Sequence, residues 1–104
     1  MSSTALYGGT YNLFAHTLPQ YGIATRFANS DDPATFEALI DGKTKAIFAE
    51  SLGNPRGNIT DIADIAALAE IAHRHRVPLI VDNTVPSPTC AARSSTAPTS
   101  WCIR

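Results

Sequence analysis

Two stretches decide the fold: AIFAE at residues 46–50 and DIADIAALAEIAHRHRVPLIVD at residues 61–82. The first is a compact apolar run, of strand length over Ala46–Ala49, closed by an acid. In the second, Ile62, Ile65, Leu68, Ala69 and Ala72 recur at helical spacing, which predicts a helix from about Asp61 to His75. Asp61 and Asp64 crowd its first turn and His73, Arg74, His75 and Arg76 its last, the arrangement that the helix dipole favours. Pro78–Val81 is then a second short apolar strand with Asp82 at its end. The Gly, Pro and Asn residues of Ser51–Asn58 make a loop at the carboxyl end of the first strand. Two apolar strands joined through a helix imply parallel pairing inside a sheet covered on both faces.

The same alternation extends toward the amino terminus. Asp41-Gly42 is a turn before the AIFAE strand. Asp32-Pro33 reads as an N-cap followed by proline at the first helical position, opening a helix to about Leu39. Ile23–Phe27 is a strand candidate. Thr10–Leu18 is a helix candidate, with Tyr11, Leu13, Phe14 and Leu18 roughly on one face, and it should stop near Pro19. Ser2–Leu6 is a short strand that breaks at Gly8-Gly9. Strands and helices thus alternate over residues 1–84, which predicts an α/β fold: a parallel sheet with helices on both faces. Open sheets of this kind collect ligands at the carboxyl ends of their strands, and Tyr7, Asn54 and Asp82 each fall just after a strand.

Composition narrows the function classes. The 104 residues allow one small domain or a piece of a larger one. A net charge of −1 gives no reason to expect nucleic acid or an anionic membrane as partner. No apolar run approaches the roughly 20 residues that a membrane span needs, and no signal-peptide design is visible, so a cytoplasmic setting is expected. His73 and His75 lie two apart on a helix and point in different directions, so no shared metal is expected of them. His16 has no visible acid or nucleophile partner, and Lys43 and Lys45 read as solvated turn charges.

From Val85 the character changes to VPSPTCAARSSTAPTSWCIR, a stretch without period that reads as an irregular tail over residues 85–104. The genetic code suggests an origin for it. With one base restored after the codon for Pro88, Thr89–Arg93 can be read as Tyr-Leu-Cys-Arg-Pro. Ser94–Arg104 then continues as Ile-Glu-His-Gly-Ala-Asp-Ile-Val-Val-His-Ser, a helix end at Gly followed by an apolar strand. On that reading Cys90, Trp101 and Cys102 have no functional role and the tail packs poorly.

Three motifs in order carry a family resemblance: Leu6-Tyr7-Gly8-Gly9-Thr10-Tyr11, Glu50-Ser51-Leu52-Gly53-Asn54-Pro55 and Val81-Asp82-Asn83-Thr84. Together they resemble the large domain of the pyridoxal-phosphate (PLP) enzymes of cysteine and methionine metabolism, the transsulfuration family, and within it the O-acetylhomoserine sulfhydrylases. The resemblance implies part of the large domain of a fold-type I PLP-dependent transferase, with PLP as cofactor, an amino-acid substrate and a homo-oligomeric parent. It gives Asp82 the place of the carboxylate at the cofactor's ring nitrogen, where it keeps the ring able to accept electrons. Tyr7 takes the place of the tyrosine that stacks on the ring, Asn54 that of the partner of the phenolic oxygen, with Glu50 nearby, and Thr84 a supporting place behind them. Each residue also has a plainer reading: an Asp capping a turn, a core tyrosine, an Asn-Pro loop. Where the family tends to place glycine just past the long helix, this chain has Arg76, which costs about 1 kcal/mol if the position is left-handed.

The resemblance also implies absences. The lysine that holds PLP as a Schiff base follows a Ser-Leu-Thr stretch that the chain does not reach, so no catalytic residue is expected here and the chain alone should be inactive. The upstream loop for the cofactor phosphate and the domain that binds the substrate carboxylate are not recognisable either, and Met1 stands where an interior strand residue is expected. Three other readings stand beside a sulfhydrylase fragment: a fragment of a related cystathionine synthase or lyase, a non-catalytic α/β binding module, and a fragment that associates with intact subunits of the same family. The frame reading is checked by the nucleotide sequence beyond the codon for Arg104. It should encode a Leu-Thr-Lys-like continuation in another frame, and its failure to do so removes the idea.

Overall fold

The computed structural model describes residues 1–29, 31–52, 62–85 and 100–103. They form a five-stranded parallel sheet from β1 (Ser2–Ser3), β2 (Phe27–Ala28), β3 (Ile47–Glu50), β4 (Leu79–Asp82) and β5 (Ser100–Ile103), in the order β2-β1-β3-β4-β5. The helices are α1 (Gly8–Asn12), α2 (Pro33–Leu39) and α3 (Ile62–Arg74). The α/β class expected from the alternation is the one observed.

The core follows from the pleat. β3 and β4 run in register, Ile47 beside Leu79, Ala49 beside Val81 and Glu50 beside Asp82. Alternate side chains of a strand share a face. Ile47, Ala49, Leu79 and Val81 are buried against Phe36 of α2 and Ile65, Leu68, Ile71 and Ala72 of α3. Phe48, between them in the chain, turns to the opposite face, where its ring meets that of Phe14 edge-on at 5.0 Å. The sheet is thus covered from both sides, by α2 and α3 on one and by the helical passage after Tyr7 on the other. No helix among the described residues is long and apolar enough to cross a membrane.

Several boundaries differ from the sequence expectation, each for a local reason. The passage after Tyr7 runs to Tyr21, as α1, a π-helical turn at Leu13–Thr17 and a 3-10 turn at Leu18–Tyr21. Pro19 does not stop it, because proline in the first turn of a new helical segment forfeits no hydrogen bond. The stop comes from Gly22, left-handed at φ 76°, with the Ile23 N–H returning to the Leu18 carbonyl at 3.1 Å. That cap occupies Ile23, so β2 begins only at Phe27. β1 shortens because the Ser3 hydroxyl accepts the Ala5 N–H at 3.1 Å and curls the chain away from its neighbours. The Asp32 cap holds as expected: its carboxylate accepts the Ala34 N–H at 2.9 Å.

Ser100–Ile103 departs from the irregular tail expected over residues 85–104: its backbone pairs with β4, Ser100 beside Leu79 and Ile103 beside Asp82. Trp, Cys and Ile suit a strand, and the exposed edge of β4 supplies a row of unpaired main-chain groups. Pro88, the proposed site of the lost base, and Cys90 lie outside the described residues.

The carboxyl end of α3 repeats the Gly22 cap with a different residue. The Val77 N–H returns to the Ala72 carbonyl at 3.0 Å and the Arg76 N–H to that of His73 at 3.1 Å, which forces Arg76 to φ 55°. Among the described residues no ion pair involves Arg76; its neighbours Arg74 and His75 take Glu37 of α2 at 3.0 and 3.7 Å. A side chain in the left-handed region is strained by about 1 kcal/mol, and glycine is not. Arg76→Gly should therefore raise the unfolding free energy by up to about 1 kcal/mol, read as a higher denaturant midpoint, whereas Gly22→Ala should lower it by a similar amount.

Candidate functional site

The sheet order reverses at one place. From β1 the chain moves outward to β2, then returns to the other side of β1 to lay down β3. Such a reversal opens a crevice beyond the carboxyl ends of the two strands that diverge. Here Tyr7 follows β1, Glu50 ends β3 and Asp82 ends β4. A cavity of about 280 Å³ lies at that end of the sheet, and Tyr7, Thr10, Glu50, Ser51, Asp82 and Thr84 all line it.

Glu50 is the buried acid of the set, 6 % exposed. Its Oε2 accepts the Tyr7 N–H at 2.8 Å, across 43 residues of chain. Burial is the main cause that pushes its carboxyl above the ordinary value, with the Asp82 charge adding to it, while bonds from the Tyr7 N–H and the Thr10 hydroxyl pull the other way. Asp82 is only half-buried. Its Oδ1 accepts the Thr84 N–H at 2.9 Å and also the Thr84 hydroxyl. Thr84 therefore fixes the carboxylate's orientation, and Asp82 caps the turn that follows β4. Behind them the buried Ser51 ties the two loops together: its N–H donates to the Asp82 carbonyl at 2.9 Å and its hydroxyl to the Asn83 side chain at 2.8 Å.

Tyr7 sits at the entrance of α1 and is 58 % exposed, so it is not a core tyrosine. The ring lies where a side chain on Gly9 would be: a Cβ there would stand 2.8 Å from the ring edge. Around Gly8 the same position is open space. The two glycines thus differ: an added side chain would meet the Tyr7 ring at Gly9 and nothing at Gly8. Tyr11, by contrast, packs against Phe27 at 5.1 Å between ring centres.

Of the residues singled out in the sequence, Tyr7, Asp82 and Thr84 meet at one cavity. Asn54 lies outside the described residues. Glu50, noted in the sequence only as a neighbour of Asn54, lines the cavity and accepts the Tyr7 N–H, and Thr10 and Ser51 went unremarked. The available signal was the acid that closes AIFAE, since a carboxylate ending a buried strand must find donors nearby.

The model of the family described as Cys/Met metabolism PLP-dependent enzyme matches residues 1–94. The chain belongs to this family. Its relatives include a homocysteine synthase of Schizosaccharomyces pombe, 55 % identical over 84 residues, which cover 81 % of the chain and 19 % of that protein. An O-acetyl-L-homoserine sulfhydrylase of Leptospira meyeri is 47 % identical over 88 residues, 85 % of the chain and 19 % of its own length. Among solved structures, a putative O-acetylhomoserine (thiol)-lyase of Campylobacter jejuni containing N'-pyridoxyl-lysine-5'-monophosphate superposes with a TM-score of 0.85 at 41 % identity, over 92 % of this chain and 23 % of that one. The chain spans about a fifth of the length of the curated relatives it matches.

Two outcomes follow from this geometry. Gly9→Ala should displace the Tyr7 ring, seen as changed ring resonances in the NMR spectrum with the sheet signals unmoved. The second concerns pH. Because the folded state raises the Glu50 carboxyl above 4.5, folding binds its proton, and the stability so gained is lost as pH rises through the folded value. Glu50→Gln should remove that loss, so its stability relative to the parent chain should increase from pH 4 to pH 7 in urea titrations.

Proposed function

We propose that these residues form the aromatic and carboxylate walls of a PLP site in an enzyme that displaces acetate from O-acetylhomoserine with sulfide. The observation that carries the proposal is the convergence of Tyr7 and Asp82 on one cavity at the carboxyl ends of a parallel sheet. The residues fit such a group: an exposed aromatic residue and an oriented carboxylate border one cavity. When bound, PLP supplies an electron sink for negative charge at the substrate carbon. Tyr7 offers a stacking face, worth about 0.5–1.5 kcal/mol beyond burial. Asp82, turned by Thr84, holds a proton on a ring nitrogen by charge and hydrogen bond. Asn54 is assigned the phenolic oxygen on the strength of its motif alone.

The amino-acid substrate, an oligomeric parent and a cytoplasmic setting belong to the same reading, and the names of the relatives favour a sulfhydrylase over a cystathionine synthase or lyase. The chain's lysines, Lys43 and Lys45, precede β3, at the opposite end of that strand from Glu50 and the cavity, so neither is suited to hold the cofactor covalently. The chain by itself is thus a binding surface without turnover. The frame reading extends to the tail: in the restored frame β5 would read Ile-Val-Val-His, an apolar strand at the same four positions.

The test uses 4'-deoxypyridoxine 5'-phosphate, which lacks the aldehyde and so cannot label surface lysines. The intact chain should bind it saturably in calorimetry and release it on dialysis. Tyr7→Ala should weaken binding by up to about tenfold, and Asp82→Asn by at least as much. Binding unaffected by both substitutions rejects the site.

A further inference from the structure

We propose that Glu50 is the positioning residue of this site: its carboxylate fastens the start of α1 to the end of β3 and thereby sets the Tyr7 ring over the cavity. The role of the ring rests on the PLP reading; the fastening itself does not.

The argument begins with what else could hold Tyr7. Tyr7 is 58 % exposed, and its ring lies where a Gly9 side chain would be, so packing alone holds it weakly. The preceding strand ends at Ser3, and the chain between it and Tyr7 turns on the Ser3 hydroxyl and a Leu6 N–H bond to the Thr4 carbonyl at 3.2 Å, both local. Leu6 is buried and anchors the chain from below, but a buried leucine fixes position more than rotation. The first N–H groups of a helix have no partner within it. At α1 the N-terminal residue Tyr7 supplies no side-chain cap. The Glu50 carboxylate reaches this end from another strand: its Oε2 takes the Tyr7 N–H at 2.8 Å, and the Thr10 hydroxyl one turn later acts on it to lower its pKa. A carboxylate that bonds the Tyr7 N–H and acts on Thr10, on either side of Gly8 and Gly9, sets the angle at which the helix leaves the sheet. An acid rather than an amide at this place also puts negative charge at a helix amino end, where it is favoured. Glutamate here orients the aromatic wall from the protein's side, through the Oε2 that takes the Tyr7 N–H.

The experiment follows hydrogen exchange of the Tyr7 amide and binding of 4'-deoxypyridoxine 5'-phosphate in the full chain. Glu50→Ala should raise the Tyr7 exchange rate about tenfold or more, as loss of a charge-assisted bond requires, and should weaken binding about as much as Tyr7→Ala. The double variant should then be no weaker than Tyr7→Ala alone. Glu50→Gln, which keeps an acceptor, should restore most of both signals. Thr10→Val removes one contact only and should give a partial effect, so the proposal remains testable if Glu50→Ala does not fold. Unchanged Tyr7 exchange in Glu50→Ala, or in Thr10→Val where the alanine variant is unfolded, overturns the fastening, as does full additivity in the double variant. Should the parent chain fail to bind the analogue, the PLP reading falls while the exchange rates still decide the role of Glu50.

Discussion

The register of β3 against β4 is the constraint on which the rest of the molecule depends. It sets Ile47 beside Leu79 and Ala49 beside Val81, which closes the core against α2 and α3, and the same ladder brings Glu50 level with Asp82. A slip of either strand by one residue would turn that strand's apolar side chains away from α3 and carry its acid to the other face. Core formation and site formation are therefore a single event. The side of the ladder that buries carbon decides where the carboxylates end up.

Two neighbouring acids at a strand end are costly unless their surroundings differ. Here they do. Glu50 is enclosed, its Oε2 takes the Tyr7 N–H, and burial raises its carboxyl. Asp82 is nearer to water and is held by the hydroxyl and amide of Thr84. One acid thus serves the architecture, while the other keeps a face toward the cavity. This division of labour gives each residue a reason for its place, and the reversal of strand order between β1 and β3 supplies the opening that both border.

Much of this was legible in the sequence where burial leaves a periodic trace. Ile65, Leu68 and Ala72 announced α3, and Asp32-Pro33 announced α2 to the residue. The strands β1 and β2 were over-extended because hydroxyl and cap bonds at Ser3 and Gly22 end them, and such bonds leave no periodic signature. Pro19 misled for a related reason: its effect depends on where a helical turn starts, which composition does not specify. At the site, Tyr7, Asp82 and Thr84 were readable through motifs. The part of Glu50 was not, since it arises from a contact between residues far apart in the chain that only the sheet order creates.

The pairing of β5 with β4 shows what kind of information a sheet edge needs. Its ladder is made of main-chain groups, which are identical in every residue except proline. Ser-Trp-Cys-Ile meets that requirement as Ile-Val-Val-His would, so the edge reads length and backbone, and scarcely spelling. The bonds that orient Tyr7 lie two strands further in, between β1 and β3. The sheet thus acts as a buffer: text at its outer margin can be rewritten while the meaning held near its centre is kept.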